Sequence, residues 1–138
     1  MGTRSFISVM HGDVYKAVYC HWDGYPGYVG ETLVNHYNSV KANELISLGD
    51  MSSLGQEIGE KHDFDSHKEN WTKFYGRDRG ETGVEFKTYN SLQELFDSAN
   101  ESGAEYVYVL KNDEWHCTST YDNIIDLKPV QEFLNDDY

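Results

Sequence analysis

Residues that favour β-strands are concentrated in two pairs of short runs along this chain. Residues 5–10 and 14–20 are rich in Ile, Val, Tyr and Phe, and the triplet His11-Gly12-Asp13 separates them. This arrangement predicts a β-hairpin. Residues 104–110 contain the run Tyr-Val-Tyr-Val, and a turn at Asn112-Asp113 leads back along residues 115–121. These residues predict a second hairpin.

Helical spacing follows the first hairpin. In residues 31–48 the apolar side chains recur every three or four positions, which predicts one amphipathic helix. Gly49 is a natural stop for it, because glycine accepts the left-handed conformation that ends helices. Asp50 is placed to cap a second, short helix over residues 51–58.

A further helix begins with a clear capping signal. Ser91-Leu92-Gln93-Glu94 fits the capping box, in which serine and glutamate satisfy free backbone N–H groups, and Gly103 follows as a stop. Pro129 suits the first turn of a last short helix that runs through residue 134.

These segments predict one α+β domain over residues 1–138. Its order is β-hairpin, helices, strand, helix, β-hairpin and short C-terminal helix around a mainly antiparallel sheet. Residues 59–83 are polar and irregular and predict a long surface excursion, followed by a brief strand at residues 84–89. We expect the acidic tail, residues 135–138, to fray.

The charge is strongly acidic: 24 carboxylates stand against 11 basic side chains, a net charge of -13. A phosphate backbone or an anionic membrane would be repelled, so direct nucleic-acid and membrane binding are disfavoured. A basic protein patch would be attracted. The chain from residue 97 onward holds ten carboxylates and only two lysines, and its predicted partner surface comprises Asp97, Glu101, Glu105, Asp113, Glu114, Asp122 and Asp126.

The segment from Cys20 to Gly30 combines glycine, proline and aromatic residues between a predicted strand and a predicted helix. Such a loop either turns the chain and covers the core, or binds a small, nucleotide-like ligand. In the second case aromatic rings would stack a base, and backbone amides, helped by arginines, would hold phosphate. The candidate residues are Trp22, Asp23, Tyr25, Gly27, Tyr28, Gly30, Arg77 and Arg79. The Asp23 carboxylate also suits an Asx turn with the amides that follow it.

Two other patterns offer chemistry. Asp63, Asp65 and His67 alternate on a polar stretch and are weak candidates for a metal site, with His21 and Asp23 as additional ligands of a metal-dependent hydrolase. If the hairpins share a sheet, the mirrored triplets Cys20-His21-Trp22 and Trp115-His116-Cys117 could lie close together. Adjacent strand residues point to opposite faces, so a Cys–His pair would form only across a kink or bulge. Their spacing matches no zinc signature, and buried structural thiols are the simpler interpretation.

Two short motifs resemble a family of small uncharacterised bacteriophage proteins: Met1-Gly2-Thr3-Arg4-Ser5 and Trp22-Asp23-Gly24-Tyr25-Pro26. The resemblance covers roughly the first 40 residues and implies a phage accessory protein of the host bacterial cytoplasm. The chain shows no secretion signal, no myristoylation pattern and no membrane-spanning run. We therefore expect a non-enzymatic protein without a cofactor, which binds and inhibits a host defence or nucleic-acid-handling protein. The alternatives are the nucleotide-like ligand binder and the hydrolase.

Overall fold

The computed structural model describes residues 2–66 and 68–135, and it shows an α+β protein built on a mixed eight-stranded sheet. Its strands are β1 (Ser5–His11), β2 (Val14–Cys20), β3 (Met51–Ser53), β4 (Lys73–Phe74), β5 (Lys87–Tyr89), β6 (Tyr106–Lys111), β7 (Glu114–Ser119) and β8 (Lys128–Pro129). Its helices are α1 (Glu31–His36), α2 (Ser39–Ser47), α3 (Tyr75–Arg79), α4 (Leu92–Glu101) and α5 (Val130–Asn135), with a π-helical turn at Pro26–Gly30 and a 3₁₀ turn at Tyr121–Asn123.

Both predicted hairpins are confirmed, and they form the centre of the sheet. The strand order is β4-β3-β2-β1-β6-β7-β8, and β5 pairs with the first half of β2. Each hairpin has a two-residue loop, and Gly12, Asn112 and Asp113 all adopt positive φ there, as tight hairpin turns require. The hairpins join through parallel pairing of β1 with β6.

Alternation along the strands divides the core into two layers. Ile7 and Val9 of β1 lie on the face covered by the π-helical turn, α1, α2 and α5. Phe6 lies on the opposite face, against Leu95 and Ala99 of α4. Successive strand residues point to opposite faces, so one run of apolar residues supplies both layers.

The predicted helix over residues 31–48 is wrong in one respect, because it is two helices. Tyr37 is extended, and its carbonyl accepts a hydrogen bond from the buried Trp115 indole at 2.9 Å. Asn38 then caps α2, with its side-chain oxygen 2.9 Å from the backbone N of Lys41. A polar side chain that bonds its own backbone in this way competes with a continuous helix.

The predicted helix at residues 51–58 is wrong. Met51–Ser53 is a strand instead, because the carbonyls of Met51 and Ser52 accept hydrogen bonds from the two residues that follow β2. Asp50 does not cap a helix: its carboxylate accepts the backbone N–H of Tyr19 at 2.9 Å. Pairing with distant strands overrides the local capping signal.

Smaller differences concern the remaining boundaries. The excursion at residues 59–83 contains β4 and α3, and the strand predicted at residues 84–89 is confined to Lys87–Tyr89. The helix that begins after Ser91 is confirmed, and the Ser91 hydroxyl accepts the backbone N–H of Glu94 at 3.1 Å. The reciprocal bond of the capping box, from the Ser91 N–H to the Glu94 carboxylate, is not among the hydrogen bonds of the described residues. Asn135, the first residue of the predicted tail, is the last residue of α5, and residues 136–138 lie outside the described residues. No helix within the described ranges is long and apolar enough to cross a membrane.

Candidate functional site

The loop after β2 is held to the rest of the fold by backbone hydrogen bonds. Gly24 donates its N–H to the carbonyl of Thr3 at 2.8 Å, and its own carbonyl accepts the buried Tyr108 hydroxyl at 2.6 Å. A Cβ at Gly24 would lie 2.7 Å from the Cβ of Ser5, closer than side chains approach. The first residues of the chain and this loop therefore pack directly on each other.

The three aromatic candidates of this loop do not form one stacking site. Trp22, Tyr25 and Tyr28 are 44%, 40% and 40% exposed. Trp22 lines a cleft at the N-terminal end of β1, whereas Tyr28 lines a separate depression beside α1 and donates its hydroxyl to the carbonyl of Leu54 at 3.1 Å. Stacking of one base between these rings is not available in this arrangement.

The small residues of the loop have different roles. Gly30 is buried, and a Cβ there would lie 3.0 Å from Val130 and 3.3 Å from the ring of Tyr108, so this glycine allows close packing. Gly27 borders the depression that Tyr28 lines. Asp23 is exposed with a φ of 55°, and its carboxylate accepts none of the hydrogen bonds found among the described residues. The predicted Asx turn is therefore not formed.

The cleft beside Trp22 has a volume of about 420 Å³ and is built from the ends of three adjacent strands. Its lining residues are Gly2, Arg4, His21, Trp22, Gly103 and Glu105. Arg4 directly precedes β1, His21 and Trp22 follow β2, and Glu105 directly precedes β6. The sheet itself thus brings a cation, an imidazole, an indole and a carboxylate to one place.

Several contacts position the cleft's aromatic groups. The Tyr19 hydroxyl lies 2.7 Å from Nδ1 of His21, and the rings of His21 and Trp22 meet edge to face at 4.7 Å. A Cβ at Gly2 would lie 2.5 Å from the Trp22 ring, so the backbone at Gly2 packs on the indole. Burial raises the pKa of the Tyr19 hydroxyl, which keeps it protonated and able to donate to His21.

The two arginines predicted to assist phosphate binding are engaged elsewhere. Arg77 donates to the carbonyls of Ile58, Gly59 and Thr72 at 2.9–3.2 Å and to the carboxylate of Asp78. Arg79 pairs with Glu81 and lies over the rings of Phe64 and Tyr75. Neither arginine lines the cavities beside Trp22 or Tyr28.

Asp78 is the best-connected carboxylate of the excursion. Burial alone would raise the pKa of this carboxyl, but hydrogen bonds from Arg77 and from the backbone N–H groups of Phe74 and His62 outweigh it, and the pKa lies below its usual range. The side chain of Asp78 is fully buried. Arg77 and Asp78 therefore act as an internal cross-link that fixes the excursion to the sheet.

The metal candidates give no site within the described part of the chain. Asp63 accepts the backbone N–H of Asp65 at 3.1 Å, and both carboxylates are exposed. His67 lies outside the described residues. Among the residues that are described, no three His, Cys, Asp or Glu side chains are grouped to hold a metal ion.

The two cysteines occupy the same face of the sheet but do not meet. Strands β1 and β6 lie between Cys20 on β2 and Cys117 on β7. Both thiols are fully buried, and desolvation raises the pKa of Cys20 to about 12 and that of Cys117 further still. A thiol held protonated in this way is a poor nucleophile, as expected of a structural cysteine.

The predicted acidic surface is divided between two ends of the molecule. Asp113 lies in the turn at the far end of β6, and Glu114 follows that turn. The other carboxylates lie near α4 or in the segment after β7, and they are Asp97, Glu101, Glu105, Asp122 and Asp126. The side chains of Asn100 and Asn123 form a hydrogen bond that connects the end of α4 to the 3₁₀ turn.

Sequence reasoning missed Arg4, Glu105 and Gly103 as neighbours of Trp22. Arg4 lies next to a predicted strand, but no local sequence pattern indicates that β1 pairs in parallel with β6. That pairing brings Arg4 and Glu105 into one cleft. Comparison with protein-family models, curated proteins and solved structures finds no match to this chain.

Proposed function

We propose that this protein is a non-enzymatic binding protein that docks on a basic surface of another protein. Docking uses an acidic face formed by Asp97 and Glu101 of α4 together with Tyr121, Asp122, Ile124 and Asp126. The partner we propose is a bacterial host protein, and the consequence is inhibition of a defence or nucleic-acid-handling protein; the resemblance of the two N-terminal motifs to bacteriophage proteins supports this choice.

This proposal is based on two exposed side chains, Tyr121 and Ile124, that lie among carboxylates. Tyr121 is 71% exposed and Ile124 is 62% exposed, whereas Tyr25 and Tyr28 are each 40% exposed. Asp122 lies between them in sequence, and Asp126 follows. An apolar centre with a charged rim is the usual anatomy of a protein interface, and tyrosine is enriched among the residues that contribute most to binding.

The charges of the acidic face are largely uncompensated. Asp97 and Glu101 are four residues apart on α4 and share one side of the helix, and neither forms an ion pair with a described residue. The one ion pair of the face joins Asp126 to Lys128 at 3.8 Å, between exposed groups. Like charges at this helical spacing destabilise a helix by about 0.2–0.5 kcal/mol. Binding to a cationic surface would relieve that repulsion.

The test compares two variants with the same change in net charge. Asp97→Asn/Glu101→Gln/Asp122→Asn neutralises the acidic face. Asp13→Asn/Asp113→Asn/Glu114→Gln neutralises three exposed carboxylates at the hairpin turns, away from α4. Asparagine also accepts the positive φ at positions 113 and 122, so neither variant strains a turn.

Partners retained from bacterial lysate at low salt are purified, and their dissociation constants are measured at several salt concentrations. We expect the variant of the acidic face to bind at least about tenfold more weakly, with a shallower salt dependence, while the control stays within about threefold of the unmodified protein. Equal losses in the two variants would mean attraction by net charge alone and would overturn the assignment of this face. Absence of any retained protein at low salt would overturn the proposed function.

A further inference from the structure

We propose that the cleft beside Trp22 is a binding site for a nucleoside monophosphate. The aromatic base lies against Trp22, the phosphate is held by Arg4, and Glu105 accepts hydrogen bonds from the ribose hydroxyls or an amino group. This site is separate from the acidic face and does not depend on the protein-binding function.

Arg4 is the group that points to an anion. Its side chain is exposed and takes part in no hydrogen bond or ion pair with the described residues. Nη1 of Arg4 lies 3.3 Å from the position that a Cβ on Gly103 would occupy, so the absence of a side chain at Gly103 leaves room for the guanidinium. A free guanidinium fork matches the geometry of phosphate oxygens.

Trp22 supplies the surface for a planar ring. It is one of three tryptophans, and its side chain is 44% exposed although the contacts of Gly2 and His21 hold it in place. Stacking of a nucleobase on an aromatic side chain contributes about 1–3 kcal/mol in single-stranded nucleic-acid complexes. A ring that is fixed before binding loses little conformational entropy when the ligand arrives.

His21 and Glu105 complete the polar lining. When the Tyr19 hydroxyl donates to Nδ1 of His21, the proton of the neutral imidazole is on Nε2, which can donate to the ligand. Glu105 is fixed by its backbone, because its N–H donates to the carbonyl of Arg4 at 2.8 Å and its carbonyl accepts from Thr120 at 3.0 Å. Arg4 and Glu105 line the same cleft without forming an ion pair.

The size and charge of the cleft select a monophosphate. Its 420 Å³ lies within the range of small-ligand sites. Arg4 is the one arginine that lines the cleft, and the Glu105 carboxylate lines it too. The whole protein carries a net charge of -13. Additional phosphates would meet repulsion without another cation to offset it, so a triphosphate should bind more weakly than a monophosphate.

Isothermal titration calorimetry with AMP, GMP, CMP and UMP tests the proposal directly. The four corresponding nucleosides and ribose 5-phosphate are titrated as ligands that lack one of the two main contacts, and ATP is titrated as a ligand with additional charge. We expect saturable binding of at least one monophosphate, and binding of the matching nucleoside and of ribose 5-phosphate that is weaker by about tenfold or more, because each lacks one of the two main contacts. Failure of all four monophosphates to saturate the protein at millimolar concentration would overturn the proposal. Equal affinity for the nucleoside would do the same.

Two matched pairs of variants locate the site. Arg4→Gln is compared with Arg79→Gln, which removes a charge outside the cleft, and Trp22→Ala is compared with Tyr25→Ala in the same loop. We expect only Arg4→Gln and Trp22→Ala to weaken binding, by about tenfold. Quenching of tryptophan fluorescence by the ligand should disappear in Trp22→Ala. If the two variants of either pair weaken binding equally, the proposed site is wrong. If Arg4→Gln or Trp22→Ala does not fold, the milder variants Arg4→Lys and Trp22→Phe replace them.

Discussion

Replacement of Asp78 by asparagine should be among the most destabilising conservative changes in this protein. The carboxylate accepts hydrogen bonds from the backbone N of Phe74 at 2.9 Å and of His62 at 3.1 Å, and from Nε and Nη2 of Arg77 at 2.9 and 3.2 Å. Asparagine keeps one acceptor oxygen and places an NH₂ group against other donors. The guanidinium of Arg77, whose side chain is 12% exposed, would lose its counter-charge. Loss of one partner from a buried ion pair costs about 3–5 kcal/mol.

The neighbouring ion pair provides a matched control. Arg79 and Glu81 are 48% and 38% exposed, whereas the Asp78 side chain is fully buried. Glu81→Gln should therefore cost about 0–1 kcal/mol. Urea denaturation, followed by tryptophan fluorescence at neutral pH, gives both free energies of unfolding. If Asp78→Asn costs less than about 1 kcal/mol, or no more than Glu81→Gln, the cross-link described for the excursion is wrong.

The ion pair between Arg77 and Asp78 also predicts how the stability of the protein depends on pH. The pKa of Asp78 is lowered in the folded protein, so its carboxylate contributes stability above the unfolded pKa, and this contribution is lost as pH falls through the folded pKa. The difference in unfolding free energy between the unmodified protein and Asp78→Asn should shrink on acidification below about pH 4. A difference that stays constant down to the acid limit of folding would contradict this mechanism.

Three further substitutions test other parts of the fold by thermal or urea denaturation. Tyr108→Phe leaves the buried carbonyl of Gly24 without its donor and should cost about 1–3 kcal/mol; an unchanged midpoint would show that another group replaces the hydroxyl. Asn38→Ala removes the cap of α2 and should cost about 0.5–2 kcal/mol, and Asn38→Asp, which restores an acceptor, should recover most of it. Trp22→Ala should cost far less than the roughly 3–5 kcal/mol expected for the buried Trp115→Ala, and similar losses would mean that Trp22 is part of the core.

Local signals were sufficient for the two hairpins and for α4. Gly12 in the first loop and Asn112-Asp113 in the second accept the positive φ that a two-residue loop requires. Ser91 caps the backbone N–H of Glu94, which lies three residues further along the chain. These features depend on residues that are close in sequence. The fold class follows from them, because two hairpins and amphipathic helices of this length must bury their apolar faces together.

Contacts between distant residues account for what sequence reasoning missed. The break between α1 and α2 depends on a hydrogen bond from Trp115 to Tyr37, and β3 exists because its carbonyls pair with residues that follow β2. The cleft beside Trp22 depends on the register of β1 against β6, in which Ser5 lies opposite Tyr106. Hydrophobic periodicity carries no information about which strands become neighbours in parallel.

The parallel pairing of β1 with β6 also governs the order of events during synthesis. The first hairpin can form early, but its β1 edge finds its partner only after Tyr106–Lys111 has left the ribosome, when most of the chain has been made. Until then Ser5–His11 exposes unpaired backbone groups and apolar side chains, and an edge of this kind readily pairs with other chains. A chain terminated before β6 should therefore aggregate rather than persist as a folded half. Folding of the complete protein should be slowed by this non-local pairing, and chaperones that bind the N-terminal hairpin should raise its yield.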